Sequence, residues 1–203
     1  MGAPGRDRPY HHGNVRAEIT DAALRVVAEE GVDSLSIRAL ARQVGITHAA
    51  VLHHFGDRAG VLTAVAADGF RLLAEELSAA AAEGDFGDVG VAYVRFAATH
   101  RAHFDVMFRP ELYHHDDEEL LGAKALAAGA LYGSALEVSD ATGGDALRAG
   151  IAGWAYVHGI ATLWRDGNLP PAFADPIELA RELTPLLFQS STALRRRGRR
   201  RRG

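Results

Sequence analysis

The sequence predicts an all-α protein, with a three-helix head built around a helix-turn-helix and a larger helical body behind it. Three observations predict it. Apolar residues recur three and four positions apart along most of the chain, the spacing that lines one face of a helix. Glycines, prolines and capping side chains interrupt that pattern at helix-length intervals. No run alternates with a period of two, and no unit of about 20 to 50 residues repeats, which argues against sheets, propellers and solenoids.

Val15, Ile19, Ala22, Ala23, Val26 and Val27 set out a first helix over about 14–30, and Gly31 suits the left-handed position just past its end. Ser36 offers an N-cap oxygen to a short second helix carrying Ile37, Leu40, Ala41 and Val44, which Gly45 ends. Thr47 caps a third helix, HAAVLHHF. Asp57 caps a fourth, whose stripe of Val61, Leu62, Val65, Phe70, Leu73 and Leu77 runs out near Gly84. Further helices are expected at about 87–101, 102–108, 116–137, 145–165 and 176–194, punctuated by Pro110, by Gly143 with Gly144, and by Pro170 with Pro171. Asp175 followed by Pro176 is a strong helix start, since the cap accepts a backbone N–H and proline removes a donor that has no helical acceptor. Pro185 is expected to kink that last helix.

A chain of 203 residues amounts to about 1.4 typical domains, long enough to bury a core. Its 48% apolar and 24% charged residues are globular values that rule out wholesale disorder. The absence of cysteine removes disulfides, thiol nucleophiles and thiolate metal sites, and fits a reducing compartment. The longest uncharged stretch, Ala149 to Trp164, is 16 residues and holds three glycines, short of the roughly 20 apolar residues of a membrane span. The opening MGAPGRDRPYHHGN lacks the apolar centre of a signal peptide. No membrane association and a cytoplasmic location are therefore expected.

Charge is distributed unevenly. Residues 1–62 are neutral, 63–194 carry a net charge of −11, and the last nine residues carry seven arginines. A polyanion should be repelled by the middle of the chain and met at its ends. Within the head, Ser34 to Gly56 contains Arg38, Arg42 and three histidines but no acid. The expected division is a flexible arm at 1–13, the head at 14–62, the body at 63–194 and a disordered Arg-rich tail at 195–203. That tail, Arg195 to Arg202, also supports an alternative: a sequence-independent binder of nucleic acid or acidic surfaces.

Two short helices joined by Gly45-Ile46 form a helix-turn-helix, whose second helix enters the major groove by its N-terminal end. Val51 and Phe55 must then point inward, so that His48, Ala49 and Ala50 point outward. Thr47 stands at the positive end of that helix, where a hydroxyl and free N–H groups suit a phosphate.

At these residues the chain resembles the tetracycline-repressor (TetR) family of bacterial transcription regulators, over about Tyr10 to Phe70. The family pattern T-x-x-x-x-Y-x-H-F-x-x-K-x-x-x-L is matched by THAAVLHHFGDRAGVL at Thr47, His54, Phe55, Arg58 and Leu62. The opening YHHGNVR also looks like a common start of this family. The resemblance implies that Thr47, His54 and Arg58 touch phosphates, that His48, Ala49, Ala50 and His53 face base edges, and that Arg16 approaches the DNA backbone. Ser36 and Arg38 complete the candidate set, although Arg38 and Arg42 also read as an ordinary solvated helix face. Leu52 departs from the pattern, because the usual tyrosine there would supply a phosphate hydrogen bond.

A shorter likeness lies near the C-terminus, where Trp154-Ala-Tyr-Val-His158-Gly159 is similar to the Trp-His-Gly signature of one class of ligand domain in the same family. Leu147, Ile151, Trp154, His158 and Ala161 have helical spacing, so core packing accounts for Trp154 and His158 equally well. Phe96, His100, Phe104, Met107, Trp154 and His158 are the candidate pocket residues for a small apolar or aromatic effector. The implied function is a transcriptional regulator, a repressor as most relatives are, that binds a palindromic operator in double-stranded DNA as a homodimer. Dimerisation is expected through the helices at 145–165 and 176–194, with Gly150, Gly153 and Gly159 allowing close approach and Leu179, Leu183, Leu186 and Leu187 supplying apolar surface.

Catalysis and cofactors are not expected. His100 and His103 could form a general-base pair, but no hydrolase elbow, phosphate loop or HExxH motif accompanies them. HHDDEE at 114–119 offers metal-ligand types, yet acids in a first helical turn explain it better.

Overall fold

The computed structural model describes residues 15–142 and 145–185, the side chains of 134–142 excepted. The N-terminal arm, the Gly143-Gly144 break, Leu186, Leu187, any kink after Pro185 and the Arg tail lie outside the described residues. All regular structure among the described residues is helical. The helices are α1 (Val15–Glu30), α2 (Ile37–Val44), α3 (His48–Phe55), α4 (Arg58–Glu83), α5 (Phe86–Thr99), α6 (Arg101–Met107), α7 (Glu118–Thr142), α8 (Ala146–Arg165) and α9, helical over 176–185. None is long and apolar enough to cross a membrane.

The caps act at the positions the sequence indicates. Ser36 Oγ accepts the Ala39 N–H at 3.2 Å, Thr47 Oγ1 that of Ala50 at 3.1 Å, and Asp57 Oδ1 that of Gly60 at 2.8 Å. Each accepts from a first-turn backbone N–H, one of the donors that lack a carbonyl four residues back in the helix. Asp175 Oδ1 does the same for Ile177 and Glu178 at the start of α9. Gly45 has φ 79°, ψ 29°, the left-handed conformation that turns the chain from α2 toward α3 and is strained for a residue with a Cβ.

One element differs from expectation at both ends. α7 starts at Glu118 instead of 116 and continues to Thr142 instead of 137. Its start is set by Asp117, whose Oδ1 accepts the Leu120 N–H at 2.9 Å, leaving Glu118 and Glu119 in the first turn against the positive helix end. Nothing in EVSDAT breaks a helix before the paired glycines, so α7 runs on.

Ile19, Ala22 and Ala23 of α1, Leu40 and Ala41 of α2, Val51 and Phe55 of α3, and Val61 and Leu62 of α4 bury one another in the head. The next turns of α4 enter the body, where Phe70, Leu73 and Leu77 pack with α5, α6 and α7. α4 therefore belongs to both cores. Tyr93, Phe96, Phe104 and Met107 are among the largest fully buried side chains of the body.

Candidate nucleic-acid interface and body cavity

The inward residues of α3, Val51 and Phe55, are 0% and 8% exposed, which fixes its rotation. His48, Ala49, Leu52, His53 and His54 are exposed as a result, and Ala50 is half-buried. Arg38 and Arg42 are exposed on neighbouring α2. The Thr47 hydroxyl accepts a bond from Ala50 yet keeps its own proton to donate, and Ser36 stands likewise. This face pairs a helix N-terminus with histidines and arginines and has no carboxylate between Ser34 and Gly56. Such a surface fits phosphates by charge and base edges by shape. Two of its imidazoles, His53 and His54, stand edge to face at 5.5 Å.

Two arginines of the candidate set have other work. Arg58 donates from Nε to the Leu35 carbonyl at 3.0 Å and from Nη2 to the Val32 carbonyl at 2.5 Å. It ties the start of α4 to the turn before α2. Arg16 lies over the Phe55 ring at 5.0 Å, donates to the His54 carbonyl at 3.3 Å, and pairs with Glu119 of α7 at 2.9 Å. Glu119 also holds Arg71 of α4. A local sequence pattern cannot show these bonds, because their partners lie 23 to 103 residues away.

The body contains a cavity of about 350 Å³. Phe70, Leu73 and Leu77 of α4 form one wall, and Lys124, Ala127, Leu131 and Tyr132 of α7 another. Tyr93, Met107, Phe108, Tyr113 and Trp154 close it. Of the six residues expected at a pocket, Met107 and Trp154 line this cavity. Phe96 and Phe104 are buried in the core and are not among its walls. His100 faces α4, where it bonds Glu76 at 3.1 Å, and its neighbour His103 bonds Asp68 at 3.0 Å. α5 and α6 reach the cavity through Tyr93 and Met107, while Phe96, His100 and Phe104 are not among its walls. The imidazoles of His100 and His103 are thus carboxylate partners, with His103 buried and His100 half-buried.

Behind the cavity, the Trp154 Nε1–H donates to the Tyr93 hydroxyl at 3.2 Å, and that hydroxyl lies 2.9 Å from His158 Nδ1. The buried Tyr93 O–H has no other acceptor among the described residues, so it donates to the imidazole, whose proton is thereby assigned to Nε2. Burial raises the Tyr93 phenol pKa well above its ordinary range. Burial, and secondarily the charge of Arg165, lowers that of His158. The triad therefore stays neutral around neutral pH. Trp154 and His158 serve packing and pocket together, with the indole on the cavity wall and the imidazole against Phe108 at 4.7 Å.

Comparison with known proteins decides what this architecture belongs to. Residues 19–65 match the model of the bacterial regulatory proteins of the tetR family, and 86–187, half of the chain, match the tetracyclin repressor-like C-terminal domain. The chain belongs to the TetR family. This TetR protein is 31% identical to a protein of unknown function from Rhodococcus sp. RHA1, over 91% of the present chain and 98% of that one, with a TM-score of 0.77. It is 33% identical to the HTH-type transcriptional repressor AcnR of Corynebacterium glutamicum over 78 residues, 38% of this chain and 40% of that relative. The match thus spans well under half of that repressor. FadR from Bacillus subtilis, solved in complex with stearoyl-CoA, shares the fold at a TM-score of 0.65 and 17% identity, over 85% of this chain and 97% of FadR. This TetR protein is accordingly a DNA-binding transcriptional regulator, in a family of regulators and not of enzymes.

Proposed function

We propose that this regulator binds a palindromic operator as a homodimer, represses, and lets go of DNA when a small apolar or aromatic molecule enters the body cavity. One observation carries the reading: α4 is a single helix whose first turns brace α3 in the head and whose later turns wall the cavity. A ligand that prefers one packing of Phe70, Leu73 and Leu77 therefore biases the position of the reading helix. The acyl-CoA held by FadR supports a small-molecule sensor in this fold, and the repressor name of AcnR supports the sign.

Thr47 and His54 take phosphates in this reading, and His48, Ala49, Ala50 and His53 meet base edges. Ser36 and Arg38 reach the flanking backbone. Arg16 and Arg58 position α3 more than they touch DNA. The Trp-His-Gly assignment stands as a finer proposal, supported by the Trp154–Tyr93–His158 triad.

Dimerisation is supported by the outer half of α8. Leu147, Ile151 and Leu163 are 56%, 48% and 46% exposed, with Ala152 and Ala155 between them. Two heads held by such an interface would meet successive major grooves about 34 Å apart. Gly159 opens onto free space and suits that interface, whereas Gly153 faces Phe86 within its own chain and Gly150 is buried.

The test is selection of DNA fragments by the purified protein, followed by titration of the selected duplex with and without candidate effectors. A shared inverted repeat, bound more weakly by about 5- to 150-fold with effector present, is the expected result. Equal affinity for selected and scrambled duplexes at physiological salt would overturn it.

A further inference from the structure

The body cavity is apolar on nearly every side, and most of its polar tips are already committed to the protein. The Tyr93 hydroxyl accepts from Trp154 and donates to His158. The Tyr113 hydroxyl donates to the Met107 carbonyl at 2.8 Å. Lys124 is different. Its ammonium lies 4.9 Å from the Tyr113 ring centre and 5.6 Å from that of Phe70, both walls of the cavity. Among the described residues it has no carboxylate partner. Glu119 of its own helix pairs with Arg16 and Arg71, and on α4 Glu76 pairs with Arg95 and His100 and Asp68 with His103.

Half-buried and flanked by ring faces alone, the ammonium has lost water without gaining a counter-charge. Burial accordingly pulls its pKa below the ordinary lysine value of 10.5. Cation–π contacts compensate only in part, because a ring face is a far weaker partner than an anion. The arrangement is completed by a ligand that brings a negative charge to the same wall.

Resting on the sensor reading above, we propose that the effector is a compact lipophilic carboxylate, with its apolar body against Phe70, Leu73, Leu77, Leu131 and Trp154 and its carboxylate on Lys124 Nζ. One ammonium, with no arginine on the walls, matches a single negative charge and not a phosphate dianion. The volume is at the small end of the roughly 300–1,000 Å³ range of ligand pockets, which favours a short chain or an aryl alkanoate over a nucleotide conjugate. Composition alone suggests a neutral lipophile, because it does not show where Lys124 stands.

The experiment is calorimetric titration of the full-length protein with two matched pairs, decanoate against decanol and phenylbutyrate against phenylbutanol, below their aggregation limits. In the unmodified protein each acid should bind at least about tenfold more tightly than its alcohol. Lys124→Met should abolish that preference while leaving alcohol affinity unchanged, which also shows that the cavity is intact. Lys124→Arg should restore the preference. Alcohols binding as tightly as acids, or a preference that survives Lys124→Met, overturns the carboxylate assignment and leaves a sensor of neutral molecules. If neither pair binds in any variant, the sensor reading falls with it.

Discussion

Arg16 and Glu119, separated by 103 positions in sequence, meet at 2.9 Å and join the first helix of the head to the first turn of α7 in the body. Both side chains are about half exposed, so the pair adds only about 0 to 1 kcal/mol to stability. Its importance is positional. Arg16 also holds the end of α3 through the His54 carbonyl and the Phe55 ring, so its guanidinium links α7 to the reading helix.

Glu119→Gln should therefore leave the melting temperature nearly unchanged and free Arg16 to neutralise a phosphate. Each added phosphate contact steepens the salt dependence of binding by about 0.9. Titration of one duplex at several salt concentrations checks this. An unchanged slope would mean that Arg16 stays over Phe55 without its carboxylate.

Thr47 combines a cap with a candidate phosphate donor, and substitution can separate the two. Thr47→Asp keeps an oxygen for the Ala50 N–H and adds a favourable charge at the helix start, so thermal stability should hold. The same carboxylate repels phosphate, and affinity for every duplex should collapse. Thr47→Ser should preserve both. His48→Ala should instead cost about 1 to 3 kcal/mol at one base position and alter sequence preference there. Parallel selection with each variant distinguishes a uniform loss from a local one.

His158 makes stability depend on pH. Its folded pKa lies below the ordinary 6.5, so between the two values the unfolded chain binds more protons than the folded one. Stability should be complete above that value and fall as pH drops through the window. Protonation would also turn an N–H toward the Tyr93 hydroxyl, leaving the phenol proton without an acceptor. Melting curves at about pH 7.5 and about pH 5.5 should show a larger drop in the native protein than in His158→Gln. Comparison across pH cancels the constant cost of losing the ring.

Gly153 and Gly159 share α8 and should respond in opposite ways. A Cβ at Gly153 would stand 2.7 Å from the Phe86 ring, so Gly153→Ala should cost about 1 to 3 kcal/mol through overpacking. At Gly159 nothing lies within 4 Å. Gly159→Arg or Ile151→Glu should leave the fold intact and produce a monomer by light scattering, with operator affinity falling alongside. A dimer that survives both substitutions would move the interface off α8.

The helices of the head were legible in the sequence because each carries its own punctuation. Ser36, Gly45, Thr47 and Asp57 act within three or four residues of where they stand, and local contacts of that kind are encoded locally. The inward turn of Val51 and Phe55 was readable for the same reason, since helical period alone puts them on one face. A period cannot say what that face meets. Arg16 and Arg58 have the charge of phosphate ligands, but partners 103 and 23 to 26 residues away take up their donors within the protein. Of the six pocket candidates, Met107 and Trp154 line the cavity and the other four do not, because aromatic spacing does not distinguish a cavity wall from a sealed core. That depends on where α4 and α7 leave space between them. Lys124 is the clearest case: in sequence it is one lysine on an otherwise apolar helix stretch, and only the packing of Phe70 and Tyr113 beside it partly shields its charge from water and gives it a direction. The sequence by itself determined the helices, their caps and the exposed face of α3, since these follow from contacts within a turn or two. Tertiary structure decided which charges remain free and where the cavity lies, since burial and long-range pairing exist only once the helices are packed.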